Sequence, residues 1–298
     1  RRPLSRSIGA DQQLHLVMAP AAVARMGILS AIPTEIARLR ACVTDQIEYK
    51  RGECFSFTTG TLEGRPVVFG ASGVGMVFAA SAATTMISEF SATALIFTGV
   101  AGGLKPGQEI GDLVIGAEVI NYDMDCRSFK YMWDPGYKLK LGETPFVPWA
   151  YVYQADPVMM ELAQAAPPPP GNKILTGRIA SGSKFCDTEA KAAMAVTHWP
   201  EIGNPDCCEM ENAAVAQICR AYDVPYLSLR ALSDLILGDA AADFNDFCER
   251  AADNLVPIVC FVVARAPIPD LAGTSVDLGN AMGAHPADRK PDPASSSS

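Results

Sequence analysis

Short apolar segments of strand length alternate with stretches of helical periodicity through most of the chain. The pattern predicts strands at 26–32, 94–99, 113–120, 173–180 and 225–231, and a hairpin of 55–60 with 65–70 around Glu63-Gly64. It predicts helices at 34–41, at 77–90, in the segment after Glu209, and at 243–263. Strands that alternate with helices indicate one α/β domain with a largely buried, mixed sheet. In such sheets ligands bind at the carboxyl ends of the strands.

The composition divides the chain into three parts. Residues 1–22 read as an irregular N-terminal lead-in, with a remnant of a targeting segment as the alternative. The domain is predicted to occupy 23–267, and the Pro/Ser-rich tail 268–298 has the composition of a disordered segment. Inside the domain, the stretch 126–149 is irregular and contains a turn signal at Trp133-Asp134-Pro135-Gly136.

Charge and hydrophobicity narrow the class of partner. Of the 298 residues, 49% are hydrophobic and 19% are charged, which is enough apolar surface for a sizeable core. The formal net charge is -9, so we expect neither nucleic acid nor anionic membrane as a partner, but a neutral small molecule. We find no apolar run of the roughly 20 residues that a membrane span needs. A cytoplasmic protein is expected, and a periplasmic or exported one if the N-terminus is a processed signal.

Cysteine and histidine usage argues against disulfides and metals. The chain has nine Cys and only three His, and the Cys form no C-x-x-C pair. Cys207 and Cys208 are adjacent, which is too close for an ordinary disulfide. We therefore expect buried thiols in a reducing compartment and no metal site.

Four predicted strand ends carry residues suited to chemistry. Glu35 follows the first strand at a helix start, where a carboxylate is also favoured for purely structural reasons. The segment 98–104 is rich in Gly, which allows a backbone to approach a ligand closely. Glu209-Met210-Glu211 precedes a helix of small residues, where the carboxylates serve either as helix caps or as acceptors for sugar hydroxyls. Asp234 ends an apolar strand, and the cost of burying it favours a functional role.

Taken in order, these segments resemble a known family. The sequences T-G-V-A-G-G-L, E-M-E followed by A-A, and R-A-L-S-D are similar to those of the nucleoside phosphorylase/hydrolase superfamily. The segment G-I-L-S-A-I-P-T-E-I narrows the resemblance to the 5'-methylthioadenosine/S-adenosylhomocysteine nucleosidases. The resemblance covers roughly 25–263. It implies a single three-layer α/β/α domain with a central mixed, twisted sheet, hydrolysis of an adenine–ribose bond with water as co-substrate, no cofactor, and a homodimer.

The resemblance also implies a role for individual residues. Glu35 would activate the attacking water, Asp234 would protonate N7 of adenine with support from Ser233, and Glu211 would hold the ribose hydroxyls. Met210 and Arg230 would contact the ribose. Phe185 would stack on adenine, and the Cys186 backbone would read the edge of the base. The Gly-rich loop would contribute Val100, Ala101 and Gly102, and the 5'-thio pocket would be lined by Ile32, Val74 and Phe244.

Three positions depart from the family's pattern. Val100 stands where a small hydroxyl residue is often found, and Ser183 stands where many relatives carry Asp. Asn121-Tyr122-Asp123 lacks the His that commonly precedes the Asp. These departures leave the three carboxylates intact, and they affect the part of the site that faces the 5' substituent and the dimer contact.

Three other kinds of protein compete with this interpretation. A phosphorylase on the same fold would need cations or backbone donors for phosphate, but 31–35 and 98–104 contain no Arg or Lys. A hydrolase for another nucleoside, of the futalosine type, remains an alternative on the same chemistry. A non-catalytic nucleoside-binding module is a third interpretation, which the presence of both Glu35 and Asp234 disfavours.

Overall fold

A computed structural model of the chain describes residues 23–129, 136–144, 150–236 and 240–271. The predicted lead-in, most of the predicted tail and the turn at 133–136, except Gly136, lie outside the described residues. Within the described ranges, no helix is long and apolar enough to cross a membrane.

The described residues form ten strands, seven α-helices and one short 3-10 helix, Pro200–Ile202, and strands and helices alternate along much of the chain. The strands are β1 Arg25–Ser30, β2 Thr44–Arg51, β3 Phe55–Leu62, β4 Arg65–Ala71, β5 Ala92–Gly103, β6 Leu113–Asn121, β7 Tyr153–Gln154, β8 Ile174–Ser181, β9 Cys207–Glu209 and β10 Tyr226–Asp234. The helices are α1 Pro33–Cys42, α2 Met76–Phe90, α3 Pro157–Ala165, α4 Thr188–Thr197, α5 Asn212–Tyr222, α6 Ala240–Asp253 and α7 Val256–Arg265.

The strands form one mixed sheet whose central strand is β5. Strands β1 and β10 lie parallel to β5 on either side, and β4, β3 and β2 continue the sheet beyond β1. On the other side β10 pairs with β6, β6 with β8, β8 with β9, and β9 returns to β5. Five strands therefore close into a ring. The mixed α/β sheet predicted from the sequence is confirmed, whereas the closure was not predicted.

Helices cover both faces of the sheet, so alternate strand residues enter two different cores. On β1, Met26 and Ile28 join a core with α1, α3, α6 and α7, whereas Leu29 packs with α2 and α5. The same alternation recurs on β5, where Ile96 faces the first core and Phe97 the second. This three-layer packing leaves the carboxyl ends of β1, β4, β5 and β10 clustered at one edge.

Most predicted elements match the described ones, with one clear error at the end of the chain. The predicted hairpin is present, and its turn residues Glu63 and Gly64 have φ of 52° and 72°. The single helix predicted over 243–263 is wrong, because the structure has two helices, α6 and α7. Pro257 lies in the first turn of α7, where its missing N–H is tolerated; inside a continuous helix it would clash with the preceding turn.

Candidate active site

The carboxyl ends of β1, β4, β5, β9 and β10 bring acidic side chains from distant parts of the chain together. β5 is hydrogen-bonded to β1 on one side and to β10 on the other, so the segments that follow these strands are neighbours. β9 meets the end of β5 at Gly102 and Gly103. Glu35, Glu209, Glu211 and Asp234 are all buried at this edge. Burial of four carboxylates in one region requires compensating donors or protons.

Glu35 is held by backbone donors at the start of α1. Its Oε2 accepts the N–H groups of Ala31 and Ile32, both at 2.9 Å, and its Oε1 accepts the N–H of Val100 at 2.9 Å. Burial raises the pKa of Glu35, while Arg230 and these three N–H groups oppose the rise. A carboxylate that is oriented by the backbone and has a raised pKa is suited to general base catalysis near neutral pH.

Gly99 leaves the space in which Glu35 and Arg230 meet. A Cβ at this position would lie 2.6 Å from Oε1 of Glu35 and would also collide with Nη1 of Arg230. Since real Cβ atoms essentially never approach so closely, only glycine permits both side chains to lie against β5 here. The Gly-rich segment thus serves first to bring a base and a cation together.

Arg230 is fully buried and is shared among three carboxylates. Its Nη2 donates to Oε2 of Glu209 at 2.6 Å, and its guanidinium lies over the Phe97 ring, 4.4 Å from the centroid. Burial lowers the pKa of Arg230, but Glu209, Glu35 and Glu211 together raise it more. Its Nε and Nη1 have no hydrogen-bond partner among the described residues. Nη1, beside Glu35, is therefore a donor still available to a ligand.

Glu209 organises the segment that carries Glu211. Its carboxylate accepts the Ser181 hydroxyl, the N–H of Glu211 at 3.0 Å and the N–H of Asn212 at 2.9 Å, in addition to the Arg230 guanidinium. These contacts join β8, β9, β10 and the start of α5. Glu209 consequently has a supporting position, with its acceptor capacity largely used within the protein.

Glu211 is the carboxylate with the clearest shift in acidity. Its Oε1 accepts the N–H of Gly75 at 2.8 Å, which ties it to the loop between β4 and α2. Burial first, and the nearby Glu209 second, raise the pKa of Glu211 to about 8, against the opposing effect of Arg230. Glu211 is thus a protonated side chain near neutral pH in the free protein, able both to donate and to accept hydrogen bonds.

Asp234 lies at the end of β10 with both carboxylate oxygens in contact. Its Oδ2 accepts the Ser233 hydroxyl at 3.0 Å, and its Oδ1 forms an ion pair with Lys191 of α4. Lys191 is fully buried and also donates to the carbonyl of Leu235 at 3.0 Å. A Cβ on Gly102 would lie 2.7 Å from Nζ of Lys191 and 2.8 Å from Oδ1 of Asp234, so the absence of a side chain at Gly102 leaves space for this ion pair.

Aromatic and apolar side chains flank the charged groups. Phe185 is 42% exposed and meets Phe244 of α6 edge to face, with the ring centroids 5.9 Å apart. Ile32 is partly buried, and Val74 lies in the loop before α2 with 53% of its surface exposed. The Cys186 thiol is buried beside Tyr122, and a hydrogen bond with the Cys208 thiol lowers the pKa of Cys186 to about 7.

The structure groups the predicted residues into three neighbouring sets. Glu35, Val100 and Arg230 meet around Gly99, with Glu211 interacting electrostatically with Arg230. Ser233, Asp234 and Gly102 form the second set, and Phe185 with Phe244 the third. Ala101 is buried on β5 between the first two sets, and Met210, between Glu209 and Glu211, is half-buried.

Sequence reasoning missed one contact partner and one residue. It assigned Arg230 to the ribose and predicted no partner for it within the protein, whereas the structure shows a hydrogen bond from Arg230 to Glu209. The two acids of E-M-E look equivalent in a sequence, and they are distinguished only by the three-residue strand β9, which includes Glu209 and ends before Glu211. It did not predict Lys191, which lies among small residues in a helix that the pattern did not resolve. No local signal distinguishes such a lysine from one on a solvated face.

Comparisons with known proteins bear on the same region. Residues 25–264 match the model of the phosphorylase superfamily. The chain is 34% identical over 241 residues to a 5'-methylthioadenosine/S-adenosylhomocysteine nucleosidase of Halalkalibacterium halodurans, which covers 81% of this chain and 98% of that protein.

Solved structures give the same picture. The chain is similar to a 5'-methylthioadenosine/S-adenosylhomocysteine nucleosidase from Neisseria meningitidis in complex with methylthio-immucillin-A, with a TM-score of 0.71, 31% identity, and coverage of 81% of this chain and 99% of that one. It is also similar to a futalosine hydrolase of Helicobacter pylori, with a TM-score of 0.69, 27% identity, and coverage of 81% and 97%.

Proposed function

This chain belongs to the 5'-methylthioadenosine/S-adenosylhomocysteine nucleosidase family of the phosphorylase superfamily, and we propose that it hydrolyses the N-glycosidic bond of these two nucleosides. The products are adenine and the 5'-thioribose. The observation that carries the proposal is that Glu35 and Glu211 lie around a buried Arg230 at the sheet edge where β10 ends in the buried Asp234. Cleavage of this bond passes through a cationic sugar and a departing purine anion, so it needs carboxylates near the ribose and an acid near the base.

Glu35 is the proposed general base. Its two oxygens are fixed by the N–H groups of Ala31, Ile32 and Val100, and Oε1, which accepts only one of them, keeps capacity for one more hydrogen bond. A water held between Glu35 and the free Nη1 of Arg230 would have one acceptor and one donor. The Val100 side chain cannot form a hydrogen bond with that water, so Glu35 and Arg230 would have to orient it.

Glu211 is the proposed ligand of the ribose hydroxyls. It lies within electrostatic range of Glu35 and Arg230, and its carboxyl is fixed by Gly75. With a pKa of about 8 it enters the complex protonated near neutral pH, so it can donate to one hydroxyl and accept from the other. The backbone of Met210, which precedes Glu211, would contact the sugar.

Asp234 is the proposed acid for N7 of adenine, with Ser233 orienting its carboxyl group. Phe185 is exposed enough to stack on the base, and Phe244 supports its ring. The Cys186 backbone would then read the edge of adenine, and Ala101 and Gly102 would line the floor of the site. Ile32, Val74 and Phe244 provide the apolar contacts for the 5'-thio group.

Water, rather than phosphate, is the co-substrate that the charges favour. Arg230 is the cation of the Glu35 cluster, and Glu209, Glu35 and Glu211 surround it. This excess of acidic groups would repel a phosphate dianion, whereas it would not repel a neutral water. The same argument applies to a futalosine-type nucleoside, and the likeness to the Helicobacter pylori futalosine hydrolase supports that substrate as the second candidate.

We further propose that the protein works as a homodimer. Val74, Val77 and Phe78 lie together at the start of α2 with 53%, 84% and 45% of their surfaces exposed. An apolar group of this kind beside the 5' pocket is typical of a surface that a partner covers. Sedimentation equilibrium should give twice the chain mass for the wild type and a lower mass for Val77→Asp. A wild-type monomer at micromolar concentration would contradict the proposal.

Adenine release from 5'-methylthioadenosine tests the proposed reaction. We expect the same rate with and without phosphate, and a fall in kcat of about 10²–10⁴-fold in Asp234→Asn, because general acid catalysis contributes an effect of that size. The control is Asp253→Asn, which removes only a surface ion pair with Arg38. Release that requires phosphate, or an Asp234→Asn variant as active as the control, would contradict the mechanism.

A further inference from the structure

Helix α4 places a buried lysine directly against the proposed acid. Lys191 has no exposed surface, and its neighbours on the buried side of α4 are Ala190 and Met194. Its ammonium forms an ion pair with Asp234 and donates to the carbonyl of Leu235 at 3.0 Å. Burial of a charged ammonium is unfavourable unless a partner compensates it, and an apolar side chain would fill this position without that penalty. The Lys191–Asp234 pair therefore calls for a role beyond packing.

The position of the ammonium relates it to the leaving base. Nζ of Lys191 lies over Gly102, in the Gly-rich segment that would form the floor of the purine site. Asp234 accepts from Lys191 at Oδ1 and from Ser233 at Oδ2. Both donors point at the Asp234 carboxyl group, and an ammonium in direct contact with a carboxyl oxygen can pass a proton to it. The ammonium of Lys191 thus lies in position to supply a proton to the general acid of the proposed function.

We propose that Lys191 is a positioning residue for Asp234 and the source of the proton that Asp234 transfers to the purine. This inference rests on the proposed function. As the C1'–N9 bond breaks, its electron pair stays on adenine. An N–H bond of Lys191 breaks as an O–H bond of Asp234 forms, and that O–H bond then breaks as the N7–H bond forms. Lys191 ends neutral and Asp234 ionised. The water that adds to C1' loses a proton to Glu35. Glu35 then releases a proton to solvent, and Lys191 takes one from solvent.

Two substitutions at this position separate proton supply from charge alone. In Lys191→Met, Asp234 must take its proton from solvent, so kcat should decline at a pH at least one unit lower than in the wild type. In Lys191→Arg the positive charge is retained, but a guanidinium does not release a proton. We therefore expect kcat of this variant to fall about 10²-fold across the whole pH range, with KM changed less than about threefold.

Thiols near the pair must be distinguished from it. Among the described residues, Cys186 and Cys208 face Lys191, and Cys207 is close to Asp234. Burial raises the pKa of Cys207, and the hydrogen bond with Cys186 and burial raise that of Cys208, which removes both from the working pH range. The pKa of Cys186 is about 7, and Lys191 is one cause of its lowering. Loss of Lys191 would move a Cys186-dependent decline to higher pH, opposite to the proposed shift.

The deciding experiment measures kcat and KM for adenine release from pH 5 to 10 in the wild type, Lys191→Met and Lys191→Arg. Lys173→Met, which removes a surface lysine paired with Glu109, is the matched control and should follow the wild type. Thermal unfolding verifies that each variant is folded. If Lys191→Arg does not fold, the pH profile of Lys191→Met alone decides. An unshifted decline in Lys191→Met, or full activity of Lys191→Arg, would overturn the proposal for Lys191. No adenine release by the wild type would instead overturn the proposed function.

Discussion

Replacement of Glu211 by Gln should flatten the pH dependence of the protein's stability. The fold raises the pKa of Glu211 from 4.5 to about 8, first through burial and then through Glu209. A carboxyl group whose pKa is raised by folding binds more protons in the native state than in the unfolded state. Its contribution to stability is therefore fully present below about pH 4.5 and is lost as the pH rises toward about 8.

The size of the effect follows from the same shift. At about 1.4 kcal/mol for each pKa unit, ionisation of Glu211 costs at most about 5 kcal/mol between these limits. The amide in the Glu211→Gln variant remains neutral, and its oxygen can still accept the Gly75 N–H, which Glu211 binds at 2.8 Å. The loss of unfolding free energy between pH 5 and 8 should thus be about 3–4 kcal/mol smaller in the variant than in the wild type. A residual slope is expected, because burial also raises the pKa of Glu35.

Urea unfolding followed by circular dichroism at pH 5, 6, 7 and 8 measures this difference. The control Glu161→Gln changes an exposed glutamate of α3, and its stability should follow the wild-type curve at every pH. Parallel curves for the wild type and Glu211→Gln would refute the reasoning, because they would mean that Glu211 is ionised in the native protein throughout this range.

Three further substitutions test the arrangement around β5. Gly99→Ala places a methyl group 2.6 Å from Oε1 of Glu35, so stability should fall by about 1–3 kcal/mol and kcat by at least about 10²-fold; unchanged kcat would contradict the described contact. Glu209→Gln leaves the buried Arg230 without its ion-pair partner, so the free energy of unfolding, measured by heat or urea, should fall by about 3–5 kcal/mol. A fall of less than about 1 kcal/mol would mean that the pair is dispensable. Phe185→Leu removes the ring that meets Phe244 at 5.9 Å, and KM should rise about tenfold with a smaller change in kcat; a change in kcat alone would argue against stacking on the base.

Much of the candidate site could be predicted because it lies at the ends of apolar strands. Glu35 and Asp234 each follow a strand that consists almost entirely of buried residues, so a carboxylate there stands out against its surroundings. The parallel pairing of β1 and β10 with β5 then brings the two residues to one edge. Hydrophobic periodicity is a local signal, and it sufficed to locate these two strand ends, whereas their pairing with β5 comes from the structure.

The contacts that the sequence did not reveal depend on long-range packing. Lys191 reaches Asp234 across 43 positions of the chain, and nothing in the composition of α4 marks it as buried. β9 has three residues, too few for a periodic pattern, yet it closes the ring of strands and positions Glu209. The division between α6 and α7 depends on Pro257, whose effect was outweighed in the prediction by the continuous apolar pattern around it.

The oxygen that enters the sugar is the most direct test of the central claim that water cleaves the bond at the Glu35, Glu211 and Asp234 site. 5'-Methylthioadenosine is incubated with the protein in ¹⁸O-labelled water containing ordinary phosphate, and the sugar is reduced at once with borohydride and analysed by mass spectrometry. The account predicts that free 5-methylthioribose is released and is recovered after reduction as the alditol with one ¹⁸O at C1. An unlabelled sugar 1-phosphate would contradict it, and would assign the reaction to phosphate.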